Sequence, residues 1–193
     1  MNIAKLKKFI VSELGSQLSD DLSYHNVQHT LAVLDNCNKY IRRLKITPYD
    51  AYLLRTAALL HDTGFMFGYE EHEERSIKFA KNILPKWNYT AQEIDRISAI
   101  IRATKIPQRP LNELENIIAD SDLDYLGTDK FYPVGERLFE ELKALGKLNT
   151  RTEWNSLQIK FLQNHSYHTL FAQKYREPLK QKHLHELMQM NSD

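Results

Sequence analysis

The 193-residue sequence lacks several features that would place it in a specialised class of protein. A single cysteine, Cys37, excludes an internal disulfide and is typical of a reducing compartment, so we expect a cytoplasmic location. The net charge of +1 offers no basic field for nucleic acid. No apolar run approaches the roughly 20 residues that a membrane span needs. We therefore expect neither nucleic acid nor a membrane among its partners.

Glycine and proline are also scarce, with six of each, and runs that alternate β-branched and aromatic residues are nearly absent. Helical periodicity extends along the whole chain instead. At the N-terminus, lysines interleaved with apolar residues predict an amphipathic helix rather than a signal peptide. No linker or repeat interrupts the pattern, so we predict one all-α domain over residues 1–193, folded as a helical bundle.

Local signals predict where several helices begin. Thr47 followed by Pro48 is a strong helix start, and Thr90 with Glu93 has the form of a capping box. The periodicity predicts helices over residues 3–18, 27–44, 49–62, 70–84, 90–104, 111–127, 130–146 and 152–187. The last of these is expected to break near Tyr167.

The third helix ends in LLHDTG and carries His61 and Asp62 just before Gly64. Adjacent residues on a helix point about 100° apart, so both side chains reach one ion only if it lies near the helix end. Taken alone, the dipeptide is more simply explained by local hydrogen bonds, because His and Asp are common at helix ends.

The segment NIIADSDLDYLG places three carboxylates, Asp120, Asp122 and Asp124, after an apolar helix face. Asp120 is predicted to lie on the buried side, where a carboxylate is costly unless it is paired, protonated or bound to a cation. Asp122 and Asp124 also fit a solvated face with a cap at the helix end. Asp120 is therefore the preferred candidate for a ligand.

Combined with His29 of the second helix, these segments supply two imidazoles and two carboxylates: His29, His61, Asp62 and Asp120. Such a mixture suits Mn²⁺, Fe²⁺, Co²⁺, Ni²⁺ or Zn²⁺ better than Ca²⁺, which prefers oxygen alone. We therefore predict one divalent transition metal.

In this order, the motifs resemble the HD superfamily of metal-dependent phosphohydrolases. The resemblance runs from YHNVQHTLAVL through LLHDTG and EEHEERS to IIADSDLDYLG, residues 24–127. It implies an HD-type bundle with its metal at the centre of residues 24–127, and with C-terminal helices of 128–193 packed on that core. It also makes His29, His61, Asp62 and Asp120 the metal ligands. The implied activity is hydrolysis of a phosphate ester or phosphoanhydride in a nucleotide or another small phosphorylated metabolite.

The YHNxxH pattern further resembles the cyclic-nucleotide phosphodiesterase branch, in which the first histidine protonates the leaving oxygen. This resemblance makes His25 the candidate general acid, one helical turn before His29. One of the ligating carboxylates, Asp62 or Asp120, would steer the attacking water, and Asp62 is the second catalytic candidate. The alternative for His25 is a capping or surface histidine.

Four residues are candidates for binding the substrate phosphate. The resemblance offers His72, in EEHEERS, as a phosphate contact or as the ligand of a weak second metal. Arg75, Arg102 and Lys105 are candidates for holding phosphate charge, although each also fits a solvated face. A dinuclear centre would need further histidines at the end of the fifth helix, where IIRATK has none. The sequence thus favours one metal.

Two other functions stay open. Some relatives on this scaffold carry two irons and activate O₂, but the missing histidines count against a diiron oxygenase. A non-enzymatic sensor of metal or nucleotide would bind the ion only to stabilise its fold. His165 and His168 are expected to pack or to line a substrate pocket. A monomer or a homodimer fits the sequence equally well.

Overall fold

The computed structural model describes residues 3–190, which form α-helices and short 3-10 helices without any strand. The all-α prediction is therefore confirmed. None of the helices in residues 3–190 combines the length and the apolar character that crossing a membrane requires. The α-helices are α1 (Ile3–Gln17), α2 (Val27–Leu44), α3 (Pro48–Leu60), α4 (His72–Ile83), α5 (Ala91–Arg102), α6 (Glu113–Asp122), α7 (Phe131–Ala144), α8 (Arg151–Asn164), α9 (Leu170–Tyr175) and α10 (Glu177–Met190). The 3-10 helices are Thr63–Phe67, Leu84–Trp87 and Asp124–Gly127.

The predicted helix starts at Thr47 and Thr90 are confirmed. The Thr47 hydroxyl accepts the amide hydrogen of Asp50, and proline follows it at the first helical position. Thr90 and Glu93 exchange the reciprocal hydrogen bonds of a capping box. Each cap satisfies amide donors that have no partner within the helix.

Several helix boundaries differ from the periodicity, and two of these differences bear on the candidate site. α4 begins at His72 rather than near Glu70, because Glu71 has left-handed backbone angles, with φ of 54°. α6 ends at Asp122 rather than at Gly127, because Leu123 leaves the helical region with φ of −104° and ψ of 16°. A shorter α6 changes which of its carboxylates lies at the helix end.

The described chain divides into two compact units, of which the first comprises residues 3–19 and 25–122. Helix α3 is its central element and packs against α1, α2, α4, α5 and α6. A helix that is apolar on all sides is expected at such a position. Its buried residues are Ala51, Leu53, Leu54, Thr56, Ala57, Ala58, Leu59 and Leu60. The His61–Asp62 dipeptide thus directly follows the central helix of this unit.

The second unit comprises residues 20–24 and 123–190 and contains α7 to α10. Helix α10 packs against α8, α9 and the Asp124–Gly127 turn. The guanidinium of Arg176 donates to Asp124 across 2.8 Å, and the carboxylate is almost fully buried. Asp124 therefore has a structural partner, and its burial contradicts the solvated face that the sequence favoured for it.

A buried lysine organises part of the second unit. Lys180 is fully buried, forms an ion pair with Glu177 at 2.8 Å, and donates to the carbonyl oxygen of His165. The ring of His165 packs edge-on against Tyr167, with centroids 4.8 Å apart. Burial, together with the charge of Lys180, lowers the pKa of His165 to about 3, so the imidazole is neutral near neutral pH. We assign His165 a packing role.

Candidate functional site

The chain leaves α3 so that two neighbouring side chains stand at the end of the helix. His61 still has helical angles, whereas Asp62 has φ of −107° and ψ of 6°, in the sparsely populated bridge region. The Nδ1 atom of His61 lies 2.9 Å from the carbonyl oxygen of Ala58. Since a carbonyl only accepts, Nδ1 carries the hydrogen, and Nε2 is the nitrogen that offers a lone pair when the ring is neutral.

His29 lies in the first turn of α2, and the cap of that helix fixes its position. The side chain of Asn26 accepts the amide hydrogens of Gln28 at 2.9 Å and of His29 at 3.1 Å. The Nε2 atoms of His29 and His61 are 3.3 Å apart. Two histidines from different helices therefore direct their outer ring nitrogens to one place.

Two carboxylates complete this cluster of His29, His61, Asp62 and Asp122, which we call the HD cluster. The Oδ1 atom of Asp122 lies 3.0 Å from Nε2 of His29 and 3.4 Å from Nε2 of His61. The Oδ2 atom of Asp62 lies 3.3 Å and 3.2 Å from the same two nitrogens. His29, His61 and Asp122 each offer a ligand atom within 4.8 Å of the others.

The geometry corrects the sequence prediction at one ligand, because Asp122 takes the place predicted for Asp120. Both carboxylates belong to α6, and Asp120 is fully buried, as expected. Residues two apart on a helix do not face the same direction, so Asp120 points away from the side on which Asp122 meets the histidines. Burial misled the prediction. The ligand lies at the last residue of α6, where the helix opens toward the site.

The HD cluster fits a first-row transition metal. The Oδ2 atom of Asp62 is buried and has no hydrogen-bond partner among residues 3–190, although two ring nitrogens lie within 3.3 Å. At metal–ligand distances of about 2.0–2.2 Å, neighbouring donors stand about 3–3.5 Å apart. The measured spacings between the histidine nitrogens and the carboxylate oxygens are 3.0–3.4 Å. Two nitrogens and two oxygens are also a suitable donor set for such an ion.

The electrostatics of the cluster favour positive charge at its centre. Burial by itself lowers the pKa of His29, but hydrogen bonding to Asp122 and the negative charge of Asp62 outweigh it and raise the pKa to about 9. Burial likewise opposes ionisation of Asp122, yet the two imidazoles hold its pKa well below the usual range. Two buried carboxylates around two imidazoles thus attract a cation, whether a proton or a metal ion.

Asp62 presents its second oxygen to another histidine. The Nε2 atom of His72 lies 3.7 Å from Oδ1 of Asp62 and 3.5 Å from Oε1 of Glu73, and the His72 side chain is 22% exposed. The structure therefore brings His72 beside the HD cluster, on the side of Asp62 that faces away from His29 and His61. This position suits either role predicted for it.

His25 lies beside the HD cluster. Its ring stacks on Phe65 with centroids 4.1 Å apart, and its centroid is 5.9 Å from that of His29 and 6.0 Å from that of His72. His72 stacks on the same phenyl ring at 4.1 Å. Phe65 thus packs against both His25 and His72, the two histidines beside the HD cluster. Sequence reasoning missed it, because a single aromatic residue in LLHDTGFMF carries no signal that separates it from ordinary core.

The three predicted phosphate-binding cations all have partners within the chain. Arg75 donates to the backbone carbonyls of Phe67 and Glu70, each at 3.0 Å. Arg102 forms a two-pronged ion pair with the carboxylate of Glu74, on α4. Lys105 pairs with Glu71 at 2.9 Å. The glutamates of the last two pairs flank His72 in sequence, so Arg102 and Lys105 lie near the start of α4.

The HD-CE family model matches residues 16–168, which is most of the chain and includes every residue of the HD cluster. The chain belongs to the HD-CE family. Its fold is similar to the crystal structure of a predicted HD superfamily hydrolase from an uncultured Thermotogales bacterium. The two chains have a TM-score of 0.56 and 23% identity, over 84% of this chain and 96% of that one. No curated protein matches. The predicted HD fold is thereby confirmed, while the narrower resemblance to the phosphodiesterase branch stays a prediction.

Gly64 lets α4 approach the HD cluster in this HD-CE protein. A Cβ atom at residue 64 would lie 1.9 Å from the carbonyl oxygen of His72 and 2.8 Å from the amide nitrogen of Ser76. Backbone atoms of a packed helix have little room to move aside. Only a residue without a side chain fits between the end of α3 and the first turn of α4.

We expect Gly64→Ala to destabilise the protein by about 1–3 kcal/mol, the usual cost of overpacking a core. Urea unfolding measures the change. Gly15→Ala is the matched control, because a Cβ there meets nothing within 4 Å and alanine favours the helical conformation of α1. Equal stability of the Gly64 variant and the parent would mean that α4 leaves room for a Cβ atom at residue 64.

Proposed function

We propose that this HD-CE protein is a metal-dependent phosphohydrolase that acts on a small phosphorylated substrate, such as a nucleotide. The observation that carries the proposal is the convergence of two histidine nitrogens and two carboxylate oxygens at 3.0–3.4 Å in a buried cluster. In this proposal, His29, His61, Asp62 and Asp122 hold one divalent transition metal. The similar crystal structure is that of a predicted HD superfamily hydrolase, which supports this class of reaction.

The proposed reaction is attack of water on phosphorus with departure of the ester or anhydride oxygen. When bound, a divalent ion neutralises phosphoryl charge and lowers the pKa of water so that hydroxide is available near neutral pH. The two carboxylate oxygens of Asp62 have different neighbours. Oδ2 faces His29 and His61, whereas Oδ1 faces His72. The Asp62 carboxylate is therefore placed to accept a hydrogen bond from the attacking water and to direct it.

His25 is the proposed general acid. Its centroid lies 5.9 Å from that of His29, so the ring borders the cluster while His29 supplies the nitrogen within it. Stacking on Phe65 restricts the orientation of the ring. A held imidazole at the margin of the site is suited to protonating the departing oxygen.

Phosphate charge requires cationic or hydrogen-bonding partners at the edge of the cluster. His72 is the best placed of the predicted residues, because its Nε2 lies 3.7 Å from Asp62. Arg75 uses part of its five-donor guanidinium on backbone carbonyls. Arg102 and Lys105 would exchange their glutamate partners for phosphate, so their contribution depends on the substrate bound. All four residues stay candidates for substrate binding.

A weak second metal is the principal variant of this proposal. Asp62 offers one oxygen to the HD cluster and the other to His72, with Glu73 beside it. Such a carboxylate is able to bridge two ions, as in two-metal hydrolytic sites. We propose one tightly held metal, with any second ion near His72 bound more weakly.

Phosphate release from a panel of nucleotides and small phosphate esters tests the proposed function. The purified protein is assayed with Mn²⁺, Co²⁺, Ni²⁺ or Zn²⁺, and its metal content is measured by elemental analysis. We expect about one tightly bound transition metal per chain and turnover of at least one substrate class. Metal binding without any phosphate release would support the sensor alternative. Two irons per chain with oxygen consumption would support the oxygenase.

Removal of the metal is expected to lower the melting temperature by about 5–10 °C when the ion is present at a hundred times its dissociation constant. The physical reason is linkage, since the folded HD cluster binds the ion and the unfolded chain does not. Differential scanning calorimetry before and after chelation measures the shift. An unchanged melting curve after verified removal of the metal would place the ion outside the buried cluster.

A further inference from the structure

The hydroxyl of Ser76 joins two backbone groups of the turn that carries Asp62. Ser76 is fully buried in α4, and its hydroxyl donates to the carbonyl oxygen of His61 at 2.6 Å. The same oxygen accepts the amide hydrogen of Gly64 at 2.7 Å. Both hydrogen bonds are short and buried, and they leave the helix to reach another segment.

These two bonds enclose Asp62 in the sequence. The carbonyl belongs to the residue before it, and the amide belongs to the second residue after it. Between them the backbone of Asp62 adopts φ of −107° and ψ of 6°, which is neither helical nor extended. The carbonyls at the end of a helix lack partners within the helix, and the serine supplies one for His61. The hydroxyl therefore links this turn to α4, in addition to the local bonds of Thr63 to Leu60 and of Phe65 to Asp62.

Ser76 also belongs to the helix that carries His72. Residues four apart lie on the same face of a helix, so Ser76 stands one turn behind His72. The first turn of α4 lies very close to Gly64. A Cβ atom at residue 64 would lie 1.9 Å from the carbonyl oxygen of His72. A displacement of the turn relative to α4 would change the distance between the carboxylate of Asp62 and the ring of His72.

We propose that Ser76 is a positioning residue that sets the direction of the Asp62 carboxylate, so that one oxygen faces His29 and His61 while the other faces His72. The inference rests on the proposed metal site, but not on the proposed reaction. Ser76 touches neither the metal nor the substrate, and it acts through the backbone on both sides of Asp62. Groups in this kind of supporting position commonly change metal affinity by 10–100-fold when they are lost.

The test compares Ser76→Ala with Ser98→Ala. Ser98 is also a buried serine of the first unit, but its hydroxyl donates to Ile94 within its own helix, at 2.7 Å. Affinity for Co²⁺ is measured by titration, and the visible spectrum of the bound Co²⁺ reports its coordination. We expect Ser76→Ala to lose 10–100-fold in affinity and to alter the spectrum. Ser98→Ala should change neither.

Ser76→Cys covers the case in which the alanine variant does not fold. The thiol fills the space but is a weak donor and acceptor, so we expect an intermediate loss of Co²⁺ affinity. A purely structural role would lower the melting temperatures of the metal-free and metal-bound forms equally, with parental affinity and spectrum. That result overturns the proposal, as does a parent protein that binds no Co²⁺. A parent that binds Co²⁺ but releases no phosphate removes the proposed reaction and leaves this inference in place.

Discussion

Asp122→Asn is expected to lose the metal and the proposed phosphohydrolase activity together. The Oδ1 atom of Asp122 lies 3.0 Å from His29 and 3.4 Å from His61, so the substitution removes one of four converging donors. An amide is a poorer ligand than a carboxylate and brings no negative charge to balance the cation. We expect a loss of metal affinity larger than the 10–100-fold that is typical for supporting residues. Equilibrium dialysis with elemental analysis measures it.

Asp120→Asn is the matched control for this variant. It makes the same chemical change two residues earlier in α6, at a fully buried carboxylate that points to another side of the helix. We expect this variant to retain its metal, whatever it costs in stability. The opposite pattern, with metal lost at residue 120 and kept at 122, would restore the sequence assignment and reject the geometry of the HD cluster.

Much of the fold was predictable because its signals are local. The cap at Thr47 depends on hydrogen bonds within one turn, and so does the capping box of Thr90 and Glu93. Residue types within a few positions are enough to identify such features. The family resemblance added the HD fold.

The exact donor set was not predictable from periodicity. Asp120 is the more buried of the two carboxylates, but the oxygen within 3.0–3.4 Å of the histidine nitrogens belongs to Asp122, the last residue of α6. Boundaries are the least reliable part of a pattern-based prediction. The only signal for Asp122 was the repeated acid in ADSD, but its position also fitted a solvated face.

Contacts between distant segments were also beyond the sequence analysis. The bonds of Ser76 to His61 and Gly64 cross 15 and 12 positions, and they depend on how α4 packs on the end of α3. The only sequence feature associated with these bonds is a serine four residues after a histidine, in EEHEERS. Such a spacing places two residues on one helix face but does not say what that face contacts.

His25→Ala is expected to keep the metal and to lose activity. If His25 is the general acid, its removal lowers the turnover rate by roughly 10²–10⁴-fold, the usual contribution of a positioned proton donor. Metal affinity should stay at the parental value, because the cluster nitrogen on α2 is Nε2 of His29. His185→Ala, which removes an exposed histidine of α10, controls for the loss of an imidazole as such.

The leaving group decides whether the lost function is proton donation. A nitrophenyl ester departs as a stable anion and needs little protonation, whereas an alkyl or nucleoside oxygen needs a proton before it leaves. The defect of His25→Ala should therefore shrink sharply with a nitrophenyl ester if the imidazole is an acid, and it should persist if the ring only binds phosphate. Equal loss of metal in His25→Ala and His29→Ala would instead make both histidines ligands. Parental rates with both kinds of substrate would leave His25 with packing on Phe65 as its role, because a catalytic proton donor cannot be removed without cost to a poor leaving group.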